Sequence, residues 1–178
     1  MDREQLEAVL GRTAAHLKFT PGWLMGYAAE RAARYTFPTL VERLAGRVDG
    51  IVTIGLSNAD VARIACFEDV EYAPIVAAIS TAEGETTARL NVATARLRSS
   101  GEPWHFEHWR KHDKPLLLAI TRKVMREHYG ISPLTEIDGV WHRIKRELET
   151  GPQATTPTPA TARGTRRAVS SSQRPRRA

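Results

Sequence analysis

Gly50-Ile51-Val52-Thr53-Ile54-Gly55 is rich in β-branched residues and bracketed by glycines, the composition of a short strand. A strand alone leaves its backbone N–H and C=O groups without partners, so the class of the whole chain turns on whether a second strand exists. None stands out, and residues 50–55 stay ambiguous between strand and loop. The flanking segments instead carry apolar residues three and four apart, the period of an amphipathic helix. The spacing therefore predicts an all-α protein, a helical bundle.

Upstream, Asp2 caps a first helix with Leu6, Val9, Leu10 and Leu17 on one face, ending near Lys18. Thr20-Pro21 opens a second, carrying Trp23, Leu24 and Tyr27, and Phe37-Pro38 opens a third through Leu40, Val41 and Leu44 to Gly46. Downstream, Ser57-Asn58-Ala59-Asp60 is a capping arrangement for a helix through Val61, Ile64 and Ala65. Helices are also expected from Ala73-Pro74 to Ser80 and from about Thr86 to Arg98. Gly101-Glu102-Pro103 is a break, which divides the body into an N-terminal helical region, 1–100, and a second region, 101–150. In the latter, Lys114-Pro115 starts a helix ending at Gly130, and Ser132-Pro133 starts the last, running to about Glu149. No internal repeat is present.

Residues 151–178 hold Arg163, Arg166, Arg167, Arg174, Arg176 and Arg177 and no acid, amid Pro, Thr, Ser and Gly. With so little to bury, this tail is expected to be a disordered basic arm. It accounts for the whole formal net charge of +6. The other 150 residues balance at 20 basic and 20 acidic, but unevenly: residues 1–85 sum to −4, 86–126 to +6 and 127–150 to −2. A basic middle and a basic arm attract a polyanion. The apolar runs fall far short of the roughly 20 residues that cross a bilayer, and the charged start is unlike a secretory signal. Cys66 is the lone cysteine, which excludes an internal disulfide and a multi-cysteine zinc site. A soluble protein of the cytoplasm, or one associated with the nucleoid, is expected, with no membrane partner.

In the helix after Pro115, Leu116, Leu117, Leu118, Ile120, Val124, Met125 and Tyr129 cover more than half of the surface, leaving Arg122, Lys123 and Arg126 as a basic stripe. In the next, Leu134, Ile137, Val140, Trp141, Ile144 and Leu148 form an apolar arc, with Thr135, Gly139, His142, Arg143 and Arg146 opposite. The connection Arg126-Glu127-His128-Tyr129-Gly130-Ile131-Ser132-Pro133 resembles the turn of helix-turn-helix DNA-binding domains, where a glycine ends one helix and Ser-Pro opens the recognition helix. That resemblance implies that Thr135, His142 and Arg143 face base edges, while Arg122, Lys123, Lys145 and Arg146 meet phosphates.

A second such stretch, residues 56–79, is less suited to DNA, because Glu68, Asp69 and Glu71 fall where phosphates would approach and Pro74 interrupts the reading helix. Packing, or contact with a basic protein, is the expected role of this acidic half. Pairs such as Glu68-Asp69 are common on solvated faces. His105, His108 and His112 have helical spacing, but without a metalloprotease motif or cysteine ligands they read as part of an aromatic and basic surface, and no metal is expected. No phosphate-cradling glycine loop or Gly-x-Ser-x-Gly elbow is present, and Cys66 reads as a small buried hydrophobe.

The sequence thus points to a DNA-binding (or RNA-binding) helical protein of regulatory or DNA-maintenance role, not an enzyme and without a cofactor, in which a homodimer is compatible with two-fold operator reading. The alternative is a helical adaptor whose acidic N-terminal half meets a protein partner.

Overall fold

The partner that residues 50–55 need lies in Lys18–Ala32, a segment whose spacing had suggested a helix. In the computed structural model, which describes residues 2–151, Lys18–Ala32 is a strand (β1) paired antiparallel with Pro38–Ile54 (β2). Their register sets Phe19 opposite Thr53, Thr20 opposite Val52 and Pro21 opposite Ile51. A bulge interrupts the ladder at Gly26, whose φ of 82° is open to glycine and strained for other residues. Across it the two backbones approach so closely that a Cβ on Gly46 would lie 2.3 Å from the Tyr27 carbonyl oxygen.

Two more expected helices are also strands. Tyr72–Thr81 (β3) and Gly84–Ala93 (β4) form a tight hairpin in register from Tyr72 opposite Ala93 to Thr81 opposite Gly84. The Thr81 hydroxyl closes its turn by donating to the Gly84 carbonyl at 2.8 Å. With Ser99–Pro103 (β5) paired to β1, these strands make one five-stranded antiparallel sheet of order β2-β1-β3-β4. The all-α expectation is therefore corrected: the fold is mixed α/β. Its physical reason is that alternate residues of β3, such as Ile75, Ala77 and Ile79, turn toward the protein, a pattern short enough to be mistaken for helical spacing.

Helices surround the sheet. Arg3–Leu10 (α1) begins with the Asp2 carboxylate accepting from the Gln5 N–H at 2.8 Å, and ends at Gly11, φ 67°. Asn58–Glu68 (α2) starts with the capping box read from the sequence: the Ser57 hydroxyl accepts from the Asp60 N–H at 3.2 Å and Asp60 Oδ2 accepts from the Ser57 N–H at 2.9 Å. Phe106–His112 (α3), Lys114–Glu127 (α4) and Leu134–Thr150 (α5) complete the chain.

The core has two centres. Leu6, Leu10, Ala14 and Leu17 close over Phe19, Leu56 and Ile64, joining α1 to α2 and to the start of β1. Ile120, Val124, Val140 and Ile144 zip α4 to α5. Burying four such side chains contributes several kcal/mol at about 1.5–3 kcal/mol each. Contacts cross the Gly101 break: the Gln5 amide donates to Thr121 Oγ1 at 2.6 Å, and the Lys114 ammonium lies 2.9 Å from Glu4. No helix among the described residues is long and apolar enough to cross a membrane. The arginines of residues 152–178 lie outside the described residues.

Candidate active site

Where α2 ends, the chain reverses into β3 through Asp69–Glu71, a single 3-10 turn. Asp69 takes φ 52°, a left-handed backbone that costs a side-chain-bearing residue of order 1 kcal/mol or more. The turn places three carboxyls in succession, Glu68, Asp69 and Glu71, beneath neighbouring elements. Glu68 is largely buried, and burial pushes its carboxyl up, partly offset by the Asn91 side chain of β4, which favours the anion. Asn91 stands on β4 opposite Pro74 of β3. Asp69 is also raised, first by burial and then by Asp138 of α5, and its Oδ1 is buried with no hydrogen-bond partner among the described residues.

Phenols line the other side. The Tyr35 hydroxyl donates to Glu71 Oε1 at 2.9 Å, and burial with this carboxylate pushes Tyr35 up to about 12. Burial likewise raises Glu71, more than its bond from Tyr35 lowers it, with Asp138 and Asp69 adding to the rise. Tyr72 donates to the Pro38 carbonyl at 2.7 Å, and burial beside Glu68 and Glu71 raises it strongly. Tyr35 stacks on Phe37 at 4.7 Å, and Phe37 meets Tyr72 at 6.1 Å, so the two phenols are held as one packed unit. Over the cluster lies α5, anchored by Trp141 edge-on to Phe67 at 5.8 Å, with Asp138 and His142 paired at 3.3 Å.

Burial penalises the charge on each of these carboxyls, and the neighbouring acids Asp138 and Asp69 add to the rise at Glu71. A carboxyl so raised keeps a proton more readily than a solvated one, which suits it to general acid–base chemistry. Neither of the two surface clefts, about 260 and 300 Å³, is lined by these residues. The carboxyls of the turn are the groups whose packing tunes a proton, which makes them the candidate chemical centre.

The residues singled out for nucleic acid are elsewhere. Arg122 lies 3.3 Å from Glu4, Lys123 2.6 Å from Glu147, Arg126 2.6 Å from Glu127, Arg143 4.0 Å from Glu147 and Lys145 3.8 Å from Glu149. Thr135, His142 and Arg146 are exposed on α5. Thus most of the stripe has acidic neighbours that cancel its field. Arg163, Arg166, Arg167, Arg174, Arg176 and Arg177 lie outside the described residues. His108 and His112 stack at 4.6 Å, and no group of three metal-ligating residues converges among the described residues. Cys66 is buried, which pushes its thiol up and away from the reactive thiolate.

No family model matches the chain. It is similar to AIG2-like protein C of Arabidopsis thaliana, 27% identical over 153 residues, which cover 83% of this chain and 86% of that protein. Two Arabidopsis thaliana proteins solved in solution are also similar, each with a TM-score of 0.49: one is 21% identical, covering 70% of this chain and 84% of its own, the other 23% identical, covering 74% and 82%.

The similarity to AIG2-like protein C, running through the sheet as well as the helices, overturns the reading as a DNA-binding, helix-turn-helix, all-α protein. In place of a reading helix, α4 and α5 form a hairpin whose apolar faces seal each other and whose second member covers the carboxyls. The expectation of no enzymatic activity is corrected as well, on the similarity to AIG2-like protein C. The sequence reading had named Glu68 and Asp69 only to set them aside as solvated. A signal was present: they stand between Cys66-Phe67 and Val70, with Tyr72 beyond, so apolar and aromatic neighbours flank them on both sides.

Proposed function

We propose that the chain is an acid–base enzyme acting on γ-glutamyl compounds, with Glu68 as the proton-carrying carboxyl. The largely buried Glu68 with its raised affinity for a proton carries the reading, and the similarity to AIG2-like protein C supports the class. In the reaction the α-amine of the γ-glutamyl group attacks its own γ-carbonyl. A carbon–nitrogen bond forms to close a five-membered lactam, and the bond from that carbonyl to the departing amine breaks. On its way to the lactam N–H the attacking ammonium gives up two protons: Glu68 carries one to the departing nitrogen as its bond breaks, and the second passes through water to the released amine, which leaves as its ammonium, so atoms and charges balance. A carboxyl raised toward neutrality serves both steps better than an ordinary one, which holds its proton too weakly to give it back. Tyr35 and Glu71, joined by their hydrogen bond, keep the neighbouring charge fixed while the proton moves. The lone, buried thiol suits a reducing, intracellular setting.

Release of 5-oxoproline from a panel of γ-glutamyl amides and dipeptides, followed by chromatography, tests the proposal. The wild-type chain should release it from at least one of them, and Glu68→Gln should lose about 100-fold or more in kcat, the scale of a missing general base. Failure with every compound, or a Glu68→Gln chain as active as the wild type, would overturn it.

A further inference from the structure

A cleft of about 260 Å³ lies away from the carboxyl cluster, between the end of β1, β5 and α3. It is smaller than the roughly 300–1,000 Å³ of sites for drug-sized molecules, so its occupant is a small metabolite. One wall is aromatic: Trp104 and Trp109 pack with centroids 5.9 Å apart, and Phe106 stands 6.0 and 5.9 Å from them. Trp104 is fixed by its indole N–H, which donates to the Thr36 carbonyl at 2.9 Å. Trp109 has no such tie. It is 6% exposed, it lines the cleft, and its indole N–H meets no acceptor among the described residues. A buried donor of this kind is rare in folded proteins and calls for an acceptor supplied from outside.

The charges that line the same cleft are of both signs. Arg31 contributes a guanidinium whose acidic neighbour, Glu102, stands 3.8 Å away with both side chains more than half exposed, too loose to occupy it. Asp113 forms no ion pair among the described residues. A simple anion would satisfy Arg31 and Trp109 but face two carboxylates. Arg31 Nε already donates to the Tyr35 carbonyl at 3.0 Å, so a simple cation would satisfy the carboxylates and leave the terminal guanidinium nitrogens and the Trp109 N–H without an anion. His105 and His108 complete the lining, and a molecule with both charges meets the acids and the donors together.

We propose that this cleft binds a free α-amino acid. Its carboxylate accepts from Arg31 and from the Trp109 indole N–H, its ammonium lies between Asp113 and Glu102, and its side chain rests on Trp104. Nothing in this assignment depends on the role of Glu68.

The test is a ¹H–¹⁵N titration of the full chain with L-alanine, propanoate and ethylamine, which carry both charges, the negative one and the positive one respectively. The Trp109 indole resonance is the readout, identified by its absence in Trp109→Phe, or by through-bond assignment of the wild type should that variant not fold. L-Alanine should move it saturably and bind at least tenfold more tightly than either fragment. Arg31→Gln, a change at a half-exposed side chain, and Asp113→Asn should each weaken L-alanine at least tenfold with the rest of the spectrum preserved. No saturable movement of that resonance, equal affinity for all three probes, or unchanged affinity in Arg31→Gln would each overturn the proposal.

Discussion

Asp60 sits at the start of α2, eight residues before Glu68, and its replacement by alanine tests whether the helix that presents the carboxyls is held from its far end. Its side chain is 4% exposed and accepts from the Ser57 N–H at 2.9 Å, from the Ser57 hydroxyl at 2.8 Å and from Arg12 at 2.8 and 2.7 Å, a bidentate pair. Loss of its half of the capping box costs about 1 kcal/mol. Loss of the charge-assisted bonds adds about 1.5–3 kcal/mol for a sheltered pair, reduced here because Arg12 is 43% exposed and recovers water. The total is about 2–3 kcal/mol, or roughly 5–10 °C in Tm for a chain of this size. Urea denaturation followed by far-UV circular dichroism measures it. The pH dependence gives a second handle, because the bonds from Ser57 and Arg12 hold the Asp60 carboxyl below its ordinary value of 3.8. A depressed carboxyl contributes stability that is complete above that ordinary value and disappears as pH falls through the lowered one. The gap between wild type and Asp60→Ala should therefore be constant from pH 7 to about 5 and shrink below pH 4. A loss under 1 kcal/mol, or a gap that persists undiminished into strong acid, would refute this account of how α2 is anchored.

Four further outcomes are expected. Glu68→Gln should be inactive yet more stable than wild type at pH 8: a raised carboxyl costs stability as pH climbs past 4.5, where the unfolded chain ionises first, so thermal melts of the two should converge near pH 4. In the wild type, kcat/KM should rise with pH through the elevated range of Glu68, as a base that must first be free of its proton requires. Gly46→Ala should destabilise by at least about 2 kcal/mol, because its Cβ would lie 2.3 Å from backbone at Tyr27 and the hairpin must part; a chemical denaturation midpoint equal to wild type would count against that approach. Ile144→Ala, 1% exposed between α4 and α5, should lose about 2–5 kcal/mol, and in milder form loosen α5 from the carboxyls, visible as faster amide exchange at Asp138 and His142.

Local signals located the helices better than the strands. Ser57 and Asp60, Asp2, and the Lys114-Pro115 start are written within a few residues of the helices they open, and α1, α2 and α4 begin where such chemistry places them, although α1 ends at Leu10 and not near Lys18. The ladder between β1 and β2 depends instead on Phe19 finding Thr53, a pairing across more than thirty residues that no short window contains. Leu40, Val41 and Leu44 are spaced like a helical face, yet Leu44 is fully exposed on the β2 bulge, so its spacing carries no burial. Leu90 and Ala93 likewise fit a helix as well as a strand. Of the candidate site, the residue types were legible at Glu68, Asp69 and Glu71. Their burial was not, because it is imposed by Asn91 on one hairpin, Tyr35 on another and Asp138 on a helix some seventy residues later.

Arg31 Nε donates to the carbonyl of Tyr35 at 3.0 Å, and the phenol of the same tyrosine donates to Glu71. One residue is thus tethered at its backbone by a side chain of the aromatic cleft and at its ring by a member of the acid cluster. Any coupling carried by this residue is reciprocal: as far as a ligand on the guanidinium shifts the grip of the phenol on Glu71, a change at Glu71 shifts the guanidinium's availability by the same free energy. A five-residue turn thus joins two regions that share no wall.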